Sequence, residues 1–239
     1  MNPRKMDCIS THIMMSPIFV RIAIFSSLLL VPADVLIAQK AIPLDDTSKL
    51  QLVGVKAEKV QYRGRAALKL TEAGPSNDDA LAVVQGLTMR DGAIEVELAG
   101  APAATAGGGA RGFVGIAFHV APDAKKFEYL YLRPTNGRVE DQVRRNHSVQ
   151  YASHPAHGWQ RLRKEEPEKY ESYVDLEPGV WTKVRIVVSG TKALLYVHGA
   201  AQPTLVVNDL KLGAGDGGIG LWIGPGTEAH FSSLSISAQ

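Results

Sequence analysis

The sequence predicts an all-β protein, a two-sheet antiparallel jelly-roll sandwich with one long inserted loop. From about residue 50 the chain alternates short apolar-periodic runs with turn clusters and shows no repeat of solenoid or propeller length. The 23 glycines and 13 prolines are spread over turn positions without a low-complexity period, which suits many short strands joined by tight connections. A chain of 239 residues, 45% hydrophobic and 21% charged, is long enough to bury one full core of this class.

Residues 1–40 read as a signal peptide or N-terminal anchor, and residues 41–239 as the domain. Arg4 and Lys5 precede an apolar run, Ile22 to Val31, that is short for a membrane span. Cleavage after Ala38 or Ala33 fits a small-residue site, although Leu36 occupies the minus-three position of the first. The expected location is therefore secreted or periplasmic, and an uncleaved anchor is the alternative that would bring the chain to a membrane. The single cysteine, Cys8, lies before the apolar run, so the domain has no disulfide, thiolate metal site or cysteine nucleophile. A formal charge of +2 lacks the basic footprint that tracks a phosphate backbone, which argues against nucleic acid as a partner.

The elements follow in order. Ala66–Leu70 and Leu81–Val84 read as strands around a polar loop, residues 72–79. Gly92–Leu98 alternates with period two, so that Ile94, Val96 and Leu98 face the core and Glu95 and Glu97 face solvent. The tract Ala99–Gly109 reads as a flexible connection. Phe113–Val120 and Phe127–Arg133 are adjacent core strands, the second closed by Pro134. Trp181–Val188 and Ala193–His198 form the clearest hairpin, with Ser189–Lys192 as its turn. Leu205–Val207, Gly218–Ile223 and Ala229–Ile236 complete a set of about nine to twelve strands, the number of a sandwich or barrel. A helical period outside the leader is present only around Gln160–Lys169.

The closing run Trp181-Thr-Lys-Val-Arg185, Tyr196-Val-His-Gly199, Gly217-Gly-Ile-Gly-Leu-Trp222 and Ala229-His-Phe231 resembles the concanavalin A-like lectin and glucanase superfamily, laminin G-like jelly rolls among them. Gly112-Phe-Val-Gly-Ile-Ala-Phe118 and Tyr131-Leu-Arg-Pro134 resemble domains related to the 3-keto-disaccharide hydrolases. The resemblance spans roughly residues 50–237 and rests on core and turn residues, so it implies the fold and a tie to carbohydrate more than an activity. The Glu-x-Asp-x-x-Glu strand of superfamily members that act on β-glucans is missing, Glu95-Val96-Glu97 being the nearest approach.

The stretch Pro134–Tyr173 is far longer than a hairpin connection and reads as the inserted loop. It is rich in arginine, histidine and aromatic residues, which suit sugar rings and hydroxyl pairs. Asp141, Arg144, Asn146, Tyr151 and Trp159 are its candidate ligand contacts, against the alternative that the loop only covers a sheet edge. On the strand Phe127–Arg133, Tyr129, Tyr131 and Arg133 share one face and would floor a groove, while Glu128 points the other way.

Acid–base chemistry would need two groups with separated pKa values, and Glu128, Glu140, Asp141 and His147 are the candidates. Glu95 and Glu97 form a carboxylate pair that alternation alone also explains. His154 and His157 have metal-loop spacing without a carboxylate at definite spacing, so no metal is assigned. Asn77, Asp78 and Asp79 could supply oxygen ligands to calcium, or simply make a turn. Neither a serine-hydrolase elbow nor a phosphate loop occurs. Three functions follow as expectations: a carbohydrate-binding module, a glycoside-processing enzyme of the 3-keto-disaccharide hydrolase kind, and an envelope protein that binds another protein.

Overall fold

The computed structural model describes residues 39–74 and 80–238. The leader segment, Cys8 and the Asn77–Asp79 loop lie outside the described residues, apart from Gln39 and Lys40. In chain order the strands are β1 (Lys40–Ala41), β2 (Leu50–Val53), β3 (Val55–Tyr62), β4 (Arg65–Glu72) and β5 (Ala80–Val84). They continue with β6 (Gly92–Pro102), β7 (Val114–Val120), β8 (Phe127–Leu132), β9 (Val149–His154) and β10 (Glu171–Ser172). The last are β11 (Thr182–Ser189), β12 (Lys192–Val197), β13 (Leu205–Val207), β14 (Gly218–Ile223) and β15 (Thr227–Ala238). Two short helices, α1 (Gln142–Asn146) and α2 (Trp159–Glu165), sit between β8 and β10. Among the described residues no helix is long and apolar enough to cross a membrane.

The strands form two antiparallel sheets, as the sequence predicts. The first runs β13-β12-β11-β6-β15-β4-β3, with β1 beside the far end of β15; the second runs β10-β9-β8-β7-β14-β5-β2. Period-two patterning fixes which side each residue takes. In β6, Ile94, Val96 and Leu98 are buried, whereas Glu97 pairs with Arg65, and Glu95 lies 3.6 Å from Lys183 and 3.7 Å from Arg185 on the outer face. The hairpin of β11 and β12 closes from the pair Ser189 and Lys192 through Gly190 and Thr191. Gly190 has a φ of 58°, the left-handed conformation that such a tight turn needs.

In the second sheet two rows of side chains cross neighbouring strands. Leu221, Ile116, Leu130 and Tyr151 stand in register on one face, and Trp222, Gly115, Tyr131 and Gln150 on the other. The first row faces the interior, because Val114 on the same side approaches Gly100 of the first sheet. A β-carbon on Gly100 would lie 2.6 Å from Val114 Cγ1 and 2.3 Å from the Gly112 carbonyl oxygen, so the strands meet there only because a side chain is missing.

Two expectations are corrected. The Ala-Gly tract is not a loose connection throughout: β6 continues to Pro102, with Ala99 buried, since small residues are what the close sheet contact requires. The stretch Pro134–Tyr173 is not one loop, for it contains α1, α2, β9 and β10. β9 is an inner strand of the second sheet and is buried from Val149 to Ser153. The helical period around Gln160–Lys169 corresponds to the shorter α2.

Candidate ligand-binding site

The row Tyr131–Gln150 on the second sheet extends one strand further, where Glu171 of β10 pairs with Gln150 of β9. Arg133, two residues beyond Tyr131, lies over this row. Its Nη1 donates to Glu171 Oε1 at 2.9 Å and to the His147 carbonyl at 3.2 Å. Its Nη2 donates to the Tyr131 hydroxyl at 2.7 Å and to Gln150 Oε1. Three of these partners, Tyr131, Gln150 and Glu171, stand on strands of the sheet, so the guanidinium becomes a rigid floor.

Two helices raise walls beside that floor. On α2, Trp159 and Arg163 are four residues apart and therefore share a face. Arg163 grips Glu171 with Nε, at 2.9 Å from Oε2, and with Nη2 on Oε1. The Trp159 ring lies near two cations, 4.8 Å from the Arg163 guanidinium and 5.6 Å from that of Arg133. Despite those contacts the indole residue is 38% exposed.

α1 starts at Asp141, whose carboxylate accepts the Arg144 backbone N–H at 3.2 Å, an N-cap. The preceding turn is held by Arg138, which makes two bonds to the Asp175 carboxylate at 2.8 and 3.0 Å. Thus oriented, Arg144 donates through Nη2 to Asn136 Oδ1 at 3.3 Å. Its Nε is buried and has no hydrogen-bond partner. The opposite wall is Phe113 and Arg111, the latter donating to the carbonyls of Gly108 and Ala110 at 2.7 and 3.0 Å.

These groups enclose an open cleft of about 270 Å³. Its electrostatics are positive. Burial would push the Glu171 carboxyl up, but the hydrogen bond from Arg163 and the charges of Arg133 and Arg163 outweigh it and hold the group below the usual carboxylate range. Burial, reinforced by Arg163 and Arg133, lowers His147 against the opposing pull of Glu171, which favours the neutral imidazole. Its Nδ1 lies 3.0 Å from Glu171 Oε1, in an orientation that makes no hydrogen bond. Burial, with the nearby charges of Arg144 and Arg133, also lowers Arg111.

The cleft gathers Arg133, Arg144, His147 and Trp159 of the sequence candidates, with Tyr131 supporting the floor. The others lie elsewhere. Tyr129 is buried and packs on Trp222 at 4.7 Å. Asp141 is the helix cap, Asn146 accepts from Gln142 at 2.7 Å on the surface, and Glu140 is exposed. Tyr151, expected in a loop, is in the interior on β9, where its hydroxyl donates to Glu128 Oε1 at 2.6 Å. Glu128 is fully buried there, with His119 Nδ1 2.8 Å from its Oε2.

His154 stacks on Phe127 at 4.9 Å and His157 bridges the Ser153 backbone. Among the described residues no three His, Cys, Asp or Glu side chains converge as a metal site. Sequence reasoning missed Arg111, Phe113, Asn136, Arg163 and Glu171. The Trp159-x-x-x-Arg163 spacing on a short helical segment was a usable signal for Arg163; nothing local marks the rest. Chemically, the described lining of the cleft presents planar donors and an aromatic face, with the Glu171 carboxylate held by two of its arginines, Arg133 and Arg163.

No protein-family model matches this chain, and no curated protein matches it by sequence. Solved structures do match its fold. The carbohydrate-binding module CBM66 from Bacillus subtilis superposes with a TM-score of 0.55 at 12% identity, over 80% of this chain and 96% of that one. A Bacillus subtilis protein of unknown function with a galectin-like fold gives 0.54 at 10% identity, over 84% and 94%. The exoplasmic domain of VIP36, in a form bound to Ca2+ and Man3GlcNAc, gives 0.50 at 10% identity, over 84% and 88%. The chain is thus similar in fold to lectin-like β-sandwiches.

Proposed function

We propose that this chain is an exported, lectin-like carbohydrate-binding domain that holds a glycan in the cleft of Trp159, Arg133 and Arg144 without cleaving it. The observation that carries the reading is Trp159, an indole left 38% exposed at the cleft although two guanidinium groups flank it. Such a face packs on the C–H surface of a sugar ring while fixed donors around it meet hydroxyls. The fold likeness to a carbohydrate-binding module and to the Man3GlcNAc-bound exoplasmic domain of VIP36 supports the same reading. The apolar run Ile22–Val31 after Arg4 and Lys5 supports export to the periplasm or the cell exterior.

The test is retention of the full chain on a panel of immobilised neutral and acidic oligosaccharides, with Trp159→Ala and Trp159→Phe beside the parent. The expected result is retention by some glycan, lost in Trp159→Ala, partly kept in Trp159→Phe, and no sugar released. Failure to retain any glycan, or release of shortened product, would overturn the proposal.

A further inference from the structure

The cleft has more cationic groups than its own carboxylate can neutralise. Arg133 and Arg163 both bind Glu171. Arg111 and Arg144 line the same cleft, and among the described residues neither has a carboxylate within ion-pair distance. Arg111 is satisfied only by carbonyl oxygens, and Arg144 only by the Asn136 amide oxygen, with its buried Nε left unpaired. Holding such cations together in a partly desolvated place is unfavourable unless an anion joins them. Burial and mutual repulsion are what lower Arg111.

Neutral hydroxyls would leave that imbalance in place. An oxyanion would meet two guanidinium forks, the geometry that planar or tetrahedral oxyanions pair with best. Trp159 stands in the same cleft, so a ring that stacks on it can present a charged substituent to Arg111 and Arg144.

Resting on the reading of the cleft as a glycan site, we infer that its ligand is an anionic glycan, a sugar bearing a carboxylate or sulfate that Arg111 and Arg144 clamp while its ring packs on Trp159. The cleft therefore discriminates by charge as well as by shape.

The experiment is calorimetric titration of the full chain with trigalacturonate and neutral trigalactose, and with a sulfated galactan oligosaccharide and its desulfated form. Variants are Arg111→Gln, Arg144→Gln, Arg144→Lys and, as a charge control on the other sheet, Arg185→Gln. Binding of at least one anionic ligand about tenfold tighter than its neutral counterpart is expected, since a charged hydrogen bond is worth about one such factor.

Arg111→Gln and Arg144→Gln each lose about tenfold on the anionic ligand. Arg144→Lys keeps most of the preference, which separates charge from misfolding, and Arg185→Gln changes nothing. Preference for the uronate alone, the sulfate alone or both names the source of the oxyanion and supports the inference in each case. Equal affinity for anionic and neutral partners, unmoved by the arginine variants, overturns the inference and leaves glycan binding intact. No binding to any of these glycans or to the wider panel overturns the glycan reading and this inference with it.

Discussion

The Tyr151 hydroxyl and the Glu128 carboxylate meet at 2.6 Å inside the sandwich, where Glu128 also accepts the Leu212 backbone N–H at 3.0 Å. The Lys211 N–H in turn donates to the Tyr151 oxygen at 2.8 Å. Burial and the adjacent Glu128 push the phenol well above its ordinary value. A loop that follows the first sheet is thereby fastened to the inside of the second. Glu128→Ala would leave the buried donors on Tyr151 and His119, and the part-buried Leu212 N–H, without this acceptor, at a cost of about 3 kcal/mol or more. Urea denaturation is expected to show a lower midpoint, with glycan affinity of the folded protein unchanged.

Trp159 should behave in the opposite way. Its indole is partly exposed and its contacts are cation–π pairs at the surface, so Trp159→Ala is expected to change stability by no more than about 1 kcal/mol. Thermal melting of the variant beside its glycan retention checks this separation of stability from binding.

Acid sensitivity follows from three carboxylates. Hydrogen bonds from Lys169 and Lys211 hold Glu166 at about 2. Burial pushes Asp209 up, but Tyr170, Lys169 and Lys211 outweigh it and bring it to about 2, and Glu171 is lowered by its arginines. A carboxyl lowered by folding contributes stability above its unfolded value, 4.5 for Glu and 3.8 for Asp, and loses it as pH falls toward the folded value. Stability is therefore expected to decline from pH 4.5 toward pH 2. In Lys211→Met, which removes a cation shared by Glu166 and Asp209, the decline should be shallower in pH-dependent denaturation curves.

His147 reports on burial and charge in the cleft together. Its titration midpoint, followed by the imidazole proton signals, is expected below 6.5. Arg163→Gln, by removing one of the cations that depress it, should raise the midpoint. A midpoint above 6.5 in the parent protein would contradict the burial and the nearby positive charge described for this imidazole.

Gly100→Val tests the contact between sheets. The new side chain would meet the Gly112 carbonyl and Val114 well inside van der Waals distance, and overpacking of this kind costs about 1–3 kcal/mol. A denaturation midpoint equal to that of the parent would show that the strands can part without penalty.

Much of the fold was legible because its strands alternate. β13 and β14 carry the predicted bounds, and β7, β8, β11 and β12 fall within a residue of theirs. β9 was hidden because its buried positions include Gln150, Ala152 and Ser153, residues that do not read as core. Gln150 is buried to receive Arg133 and Tyr131, a reason that exists only once β8 and β9 are side by side. The cleft was half legible for the same cause. Trp159, Arg144 and His147 stood out by type in a long polar stretch, whereas Arg111 arrives from a glycine-rich segment and Glu171 from a two-residue strand. Their convergence is tertiary.

Glu171 belongs at once to the edge pair of β9 and β10 and to the side chains of Arg133 and Arg163. Edge strands of so few residues are ordinarily the first to open. Here the fraying of that edge and the placement of the cleft arginines are one mechanical variable, because β10 cannot peel away without releasing both guanidinium groups. Occupancy of the cleft should consequently be felt as slower amide hydrogen exchange along Val149–His154, in a strand whose interior face the ligand never touches.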